Sequence, residues 1–270
     1  MNTTYLSRGD YWFSLLTEGS SLRQGQCASI KVADGEINGQ PTRYIAVVPD
    51  AANHFPRAAR GEVGLLEGWT LDQVVSEVID RDAGKADKCA IVAIVDVPSQ
   101  AYGRREEAFG IHQSLAGAVS AYARARLAGH PVIALIVGKA MSGAFLAHGY
   151  QANQLIAFND PEVMIHAMGK ESAARITLRS VDALEKLAQT IPPMAYDIEH
   201  YATLGLLARL MDIDNPDQAD AEDINAVRTA LVDAIANARQ AGCELTNRRG
   251  ADNRKSSQRV RERMQQEWQQ

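Results

Sequence analysis

The sequence predicts an α/β protein built on a mostly parallel sheet, and three observations carry that prediction. Residues 90–95 (Ala-Ile-Val-Ala-Ile-Val) are a continuous apolar run of strand length. Residues 131–137 (Pro-Val-Ile-Ala-Leu-Ile-Val) are a second. Between them, residues 106–127 place Leu115, Val119 and Tyr122 at helical spacing. Strands apolar at every position are buried on both faces, and strand–helix–strand alternation implies right-handed crossovers in a parallel sheet.

The other elements follow in chain order. Residues 11–17 form a short amphipathic stretch. Two β-rich runs, 26–32 and 42–48, carry turns expected at Asp34-Gly35 and Asn38-Gly39, which reads as antiparallel hairpin structure. After the loop His54-Phe55-Pro56, a helix is expected over 71–81, with Trp69 or Thr70 near its cap. The small residues of 143–147 predict a closely packed helix, and 154–158 and 163–165 predict further strands. Beyond Gly169 the spacing predicts helices over 181–190, 193–206 and 223–240. We expect one domain over residues 1–245. The polar extension 246–270 reads as either a solvated helix or a partner-binding segment.

Composition narrows the function. The chain has 270 residues, 46% hydrophobic and 23% charged, with 28 Lys+Arg against 33 Asp+Glu and a net charge of −5. These are globular proportions, with ample length for a buried core. Net acidity argues against a sequence-independent nucleic-acid binder, which needs excess Lys and Arg to neutralise phosphates. No apolar run reaches the roughly 18–20 residues of a membrane span, and residues 1–10 carry no apolar leader core, so a cytoplasmic location is expected. Cys27, Cys89 and Cys243 form no CxxC, so neither a disulfide framework nor a zinc ribbon is expected. His54, His112, His130, His148, His166 and His200 show no HxxxH or HExxH spacing, so no metal site is expected.

Two segments carry chemistry. The first is the turn Gly138-Lys139-Ala140-Met141-Ser142-Gly143-Ala144-Phe145, which follows a buried strand and opens a helix. Such a junction turns backbone N–H groups outward, and the helix start adds partial positive charge. An anionic intermediate needs that environment. A phosphate-binding P-loop fails, because Ala144-Phe145 follow Gly143 where Lys-Ser/Thr is required, and GxGxxG is absent. A serine nucleophile at Ser142, an oxyanion donor at the Gly143 amide and a glycine used only for packing all remain. The second segment runs from Val95 to Glu107, at the C-terminal end of the first buried strand, where parallel sheets place ligands. Pro98 stops the strand and Gly103 permits an unusual turn. Its charged run, residues 104–107, also reads as the first turn of a solvated helix.

These residues resemble a known family. Val95-Asp96-x-Pro98, Tyr102-Gly103, Glu106-Glu107 and Gly110-x-x-Gln113-Ser114 are similar to the carboxyltransferase alpha half of acyl-CoA carboxylases. Gly138-x-x-x-Ser142-Gly143-Ala144 is similar to that family's second glycine-rich turn. Over nearly the whole chain, Ser7-Arg8-Gly9-Asp10, Gly61-Glu62-Val63-Gly64-Leu65 and Val163-Met164-Ile165-His166-Ala167-Met168 resemble the gamma subunits of biotin-independent malonate decarboxylases. The resemblance implies a crotonase-like (ClpP/crotonase) fold, with stacked sheets, βα repeats and a helical C-terminal region. It also implies decarboxylation of a malonyl thioester carried on the phosphopantetheine-type group of an acyl carrier protein, with no cofactor in this chain.

Carried over residue by residue, Gly143 and Ala144 supply the second turn, and Ser99, Gln100, Ala101 and Gly103 the first oxyanion hole. Ser142, Lys139, Tyr102 and His166 line the substrate. The site is expected to be half of a two-chain site shared with a beta subunit. The carrier (delta) subunit and an acyl-transferase alpha subunit complete the implied complex. Departures shape this reading. Hydratases of this fold place catalytic Glu where this chain has Leu146 and Ala167, so hydration is disfavoured. The carboxylases' later Glu is Met168 here. Lys139 stands where that pattern has an acidic residue, and reads as an anion contact or an exposed turn lysine. ClpP-type peptidases share Ser-x-Gly-Ala-Phe and Met-Ile-His, but alignment on Gly143-Ala144-Phe145 puts Met141 at the nucleophile. His166 reads as a site-lining or core residue, with a base as the alternative. A biotin-dependent carboxyltransferase alpha subunit and a non-catalytic structural subunit remain as rivals.

Overall fold

The computed structural model describes residues 6–269, so the part of the leader reading that falls on residues 1–5 lies outside the described residues. Ser7 caps α1 (Arg8–Leu16), its hydroxyl accepting from the Asp10 amide at 3.2 Å. β1 (Ser21–Leu22), β2 (Ile30–Ile37) and β3 (Gln40–Val47) form an antiparallel meander. α2 (Leu65–Arg81) then crosses to β4 (Ala90–Val97), which is parallel to β3. α3 (Arg104–Ala108) and α4 (Ile111–Leu127) lead to β5 (Val132–Met141), and α5 (Ser142–Ala147) follows directly. β6 (Gln154–Phe158) and β7 (Met164–His166) come next, then α6 (Lys170–Thr177), α7 (Val181–Ala188), α8 (Ile198–Ala202) and β8 (Arg209–Met211). α9 (Ala221–Ala241) and α10 (Lys255–Trp268) finish the chain.

The sheet runs β1-β2-β3-β4-β5-β6-β8. Its centre is β4 and β5, the two apolar runs, buried along almost their whole length because α2 and α4 pack together as crossovers. α1 packs on β3, β4 and β5, and α9 on β5 and β6. The expected stacked sheets are instead hydrogen-bonded as one sheet that forks at β5. β6 pairs with residues 133–136 of β5 and β7 with residues 139–141. β5 is ten residues long, so two short strands share its edge end to end.

The start of the chain is clasped from far away. The Arg8 guanidinium donates to Asp160 Oδ1 at 2.7 Å and to both Asp217 carboxylate oxygens at 2.8 and 2.7 Å. The Trp12 indole N–H donates to Pro216 O at 2.8 Å, and Arg228 to Leu15 O at 3.0 Å.

Several expectations are corrected. Asp34-Gly35 is no turn. It lies inside β2, where Asp34 takes both arms of the buried Arg43 guanidinium at 2.8 and 2.7 Å, and only Asn38-Gly39 turns. The helix expected from residue 71 begins at Leu65, because the Glu67 carboxylate reaches back to the Gly64 amide at 3.0 Å and caps it there. Glu67 is fully buried and also accepts from the Ser29 hydroxyl and from Asn53 Nδ2. The single helix over 106–127 is broken at Gly110, whose φ of +81° ends α3 before α4 starts. The helix over 193–206 is a 3₁₀ turn at residues 192–194 and the five-residue α8, since Pro192 and Pro193 withhold the N–H groups of a regular helix.

In the last 25 residues, Arg248 donates to Tyr150 O and Ala152 O at 2.7 and 2.8 Å, fastening the segment to the body. α10 itself has no buried residue. Among the described residues no helix is long and apolar enough to cross a membrane.

Candidate active site

A cleft of about 970 Å³ opens at the C-terminal ends of β4 and β5. Its near walls are the loop after β4, with Ser99, Gln100 and Tyr102, and the start of α5, with Ser142 and Gly143. His166 at the end of β7 and the segment from Pro192 to Leu204 close the other side.

The loop after β4 is stiff. Pro98 ends the strand, and Gln100 then runs beside Val63 in a parallel bridge. Val63 N donates to Ser99 O at 3.1 Å and Ala101 N to Val63 O at 2.8 Å. The second wall follows from the strand-to-helix junction. β5 runs straight into α5, and the chain makes the corner at Ser142, whose φ of +61° lies in the left-handed region. An L-residue there is strained by roughly 1–3 kcal/mol, and such strain concentrates at functional sites.

These walls meet at one atom. Gln100 Oε1 accepts from the Gly143 amide at 2.7 Å and from the Ser142 hydroxyl at 2.9 Å. The Gly143 amide thus faces the cleft wall instead of a helical carbonyl, as a first-turn N–H is free to do. The donor expected from the sequence at the Gly143 amide is thus occupied by a side-chain oxygen. Glycine at 143 is required by this contact, for a Cβ there would lie 2.4 Å from Gln100 Oε1.

Six of the residues singled out from the sequence therefore come together: Ser99, Gln100, Tyr102, Ser142, Gly143 and His166. Tyr102 is stacked under Arg57, whose guanidinium carbon lies 4.2 Å from the ring centroid. Arg57 is itself held by Glu62 at 2.6 and 2.9 Å. His166 pairs in register with Met141 and stacks on Tyr196, centroids 3.9 Å apart. Its Nδ1 lies against Met168 O and N at 3.0 and 3.2 Å, and burial lowers its pKa, favouring the neutral ring. The Ser142 hydroxyl donates to Gln100, so it is not poised on an imidazole as a nucleophile would be.

Four residues fall elsewhere. Ala101 is fully buried with its amide spent on Val63. Ala144 is fully buried and faces the core. Gly103 starts α3 with an extended φ of −177°, its space taken by the buried Glu106 carboxylate. Lys139 lines a separate cavity of about 420 Å³ with Arg8, Asp96 and Asp217. Asp96, part of the quoted motif, ties this second region together by accepting from Gly9 N and Lys139 N, each at 3.1 Å.

Sequence reasoning missed the Arg57–Glu62 pair, Tyr196 and the wall from Pro192 to Leu204. Glu62 lay within a quoted stretch, but no local pattern pairs it with Arg57. Among the described residues, no cluster of three or more His, Cys, Asp or Glu side chains could hold a metal ion.

Comparison with known proteins bears on this geometry. Residues 58–268 match the family model described as malonate decarboxylase gamma subunit. The solved Pseudomonas malonate decarboxylase hetero-tetramer in complex with coenzyme A contains a chain 59% identical, with a TM-score of 0.94 over 97% of this chain and 100% of that one. The Pseudomonas malonate decarboxylase MdcD–MdcE hetero-dimer contains one 55% identical, with a TM-score of 0.90 over 98% and 100%. A relative from Malonomonas rubra, the malonyl-S-ACP:biotin-protein carboxyltransferase MADD, is 34% identical over 213 residues, 77% of this chain and 70% of its own. Transcarboxylase 12S is 20% identical, with a TM-score of 0.63 over 83% of this chain and 41% of that one, and shares the fold alone. The crotonase-like fold expected from the sequence is the fold of these neighbours.

Proposed function

The chain belongs to the malonate decarboxylase gamma-subunit family, and from that premise we propose that it supplies half of a malonyl-thioester decarboxylation site, completed by a beta-type partner. The reaction breaks the bond between the carboxyl carbon and the α-carbon. Its electron pair passes into the thioester as an enolate, CO2 leaves, and a proton returns to the α-carbon. The chemical demand is a place for negative charge on an acyl oxygen.

One observation supports the assignment above others. Two donors, Gly143 N–H and Ser142 Oγ–H, converge at 2.7 and 2.9 Å on a single carbonyl oxygen. That is the geometry by which an oxyanion hole holds a developing charge, a backbone amide contributing roughly 3–4 kcal/mol and a freely rotating hydroxyl about 1.5 kcal/mol. Gln100 Oε1 stands where the acyl oxygen would sit. Among the described residues the cleft has one lining arginine, Arg57, and it is paired with Glu62, so none of them offers a free guanidinium or ammonium to hold the carboxylate back from leaving as CO2.

The further parts of the reading are a carrier-protein thioester as substrate, with its phosphopantetheine-type arm, and a beta subunit, a carrier subunit and an acyl-transferase alpha subunit as partners. The cleft suits a slender arm, with Leu146, Ile165, Ile176 and Leu204 on its walls. The Pseudomonas neighbours, solved as a hetero-dimer and as a hetero-tetramer with coenzyme A, support this direction. Cys27, Cys89 and Cys243 are free thiols, which suits a reducing compartment, and we take the cytoplasm as the site of action.

The test is to co-express the chain with its beta-type partner and follow CO2 release from a malonyl thioester, with and without avidin. Turnover by the pair, none by the isolated chain, and no effect of avidin are expected. Inhibition by avidin would favour a biotin-dependent transferase like the Malonomonas relative. Full turnover by the isolated chain would sink the half-site.

A further inference from the structure

Gln100 is held in only one place beyond its backbone. The backbone is pinned by the bridge to Val63. The side chain reaches α5 through Oε1 alone, which takes both hydrogen bonds. Because the Gly143 amide can only donate, the carboxamide must turn its oxygen that way. Nε2 is then directed away from both donors, and among the described residues it has no hydrogen-bond partner. A half-buried side chain on a fixed backbone, held at a single atom, swings out once another oxygen takes that atom's two donors.

Resting on the decarboxylase reading, we infer that Gln100 is an exchangeable occupant of the Ser142–Gly143 hole and a specificity-determining residue. Acceptor strength sets which ligands replace it. An amide oxygen accepts hydrogen bonds more strongly than a thioester carbonyl and more weakly than a carboxylate or enolate oxygen, since charge-assisted bonds are the stronger class. A neutral acetyl thioester therefore leaves Gln100 seated. The enolate oxygen that forms as CO2 leaves displaces it. Once the enolate is protonated, Gln100 reclaims both donors and the product loses its grip. The hole then favours the enolate over either neutral thioester carbonyl, and Gln100 returning to it assists release.

The exchange has a sign that an ordinary contact residue lacks: deleting the side chain tightens product binding. The experiment uses the two-chain complex, with acetyl-coenzyme A and malonyl-coenzyme A as probes. Gln100→Ala and Gln100→Asn, whose shorter amide does not reach the hole, should each bind acetyl-coenzyme A about tenfold tighter than wild type. Gln100→Glu puts a charged oxygen in the hole that no ligand displaces. It should bind acetyl-coenzyme A no tighter than wild type and lose at least 100-fold in kcat with malonyl-coenzyme A. If Gln100→Ala and Gln100→Asn bind acetyl-coenzyme A equally well or more weakly than wild type, Gln100 is a fixed contact and the inference is wrong. If no form of the complex binds acetyl-coenzyme A, it is equally wrong. A wild-type complex that binds acetyl-coenzyme A but releases no CO2 from malonyl-coenzyme A would overturn the proposed function instead, and the comparison of binding constants would still decide the exchange.

Discussion

Adding one methyl group at position 143 isolates the hole from the fold around it. A Cβ on Gly143 would lie 2.4 Å from Gln100 Oε1, 3.2 Å from its Cδ and 3.5 Å from Leu115 Cδ1. Only the first contact is impossible, and it involves the tip of a flexible side chain. Gly143→Ala therefore expels the oxygen, whether it belongs to Gln100 or to a ligand, and leaves the surroundings in place. The φ of Gly143 is outside the left-handed region, and alanine is better than glycine inside a helix by about 0.5–1 kcal/mol. Stability should hold or rise. Loss of one donor to a developing oxyanion costs about 3 kcal/mol, or roughly 100-fold in rate. The assay pairs kcat for malonyl-thioester decarboxylation by the two-chain complex with its thermal midpoint and its size in solution. Gly143→Val should behave alike, with a larger loss. Turnover within fivefold of wild type would refute the hole. A loss of activity matched by a loss of assembly would refute the locality of the argument.

Three further outcomes are expected. Ser142→Ala removes one neutral donor and should lose about tenfold in turnover, while Ser142→Gly relieves the +61° backbone and should raise the thermal midpoint; a loss of four orders of magnitude in Ser142→Ala would establish a nucleophile. His148 is fully buried, donating Nε2–H to Ile94 O at 2.9 Å and accepting at Nδ1 from the Tyr122 hydroxyl at 3.0 Å, and burial pushes its pKa down from 6.5 to about 4. The folded chain takes that proton less readily than the unfolded chain. Stability should thus be full above pH 6.5 and fall by about 3 kcal/mol as pH drops toward 4, with His148→Gln flattening that part of the urea-denaturation profile. Glu67→Ala strands the buried Ser29 and Gly64 donors and the half-buried Asn53 amide and should cost about 3 kcal/mol by chemical denaturation; a change under 1 kcal/mol would show that water replaces the carboxylate.

What could be read in advance follows physical range. The apolar runs of β4 and β5 declare themselves because burial on both faces removes every polar position from the strand. Gly143 and Gln100 were found because ligands of parallel sheets gather at the strands' C-terminal ends. Their contact was not found, for it joins residues 43 apart and depends on the Val63 bridge holding the loop. Asp34-Gly35 imitates a turn locally, yet Arg43 across the hairpin makes Asp34 a strand residue. The early start of α2 was signalled by Glu67 three residues after Gly64, a pattern easily passed over when the cap residue has no side chain. Lys139 was placed with the cleft by reading the end of a ten-residue strand as a turn; it lies within β5 and lines the other cavity.

The clasp on α1 bears on the order in which the molecule can be made. Arg8 and Trp12 are among the first described residues to leave the ribosome, but their acceptors lie at residues 160, 216 and 217. The hairpin of β2 and β3 has all its partners by residue 47, so it can form while synthesis continues. α1 can settle on β3, β4 and β5 once they exist, but its hydrogen bonds to Pro216 and Asp217 must wait for those residues. The three closures of more than 200 residues, to Asp217, Pro216 and Arg228, therefore come last. A chain interrupted near residue 210 would hold the central strands with only the Arg8–Asp160 part of the clasp, leaving the Trp12 indole without its Pro216 acceptor.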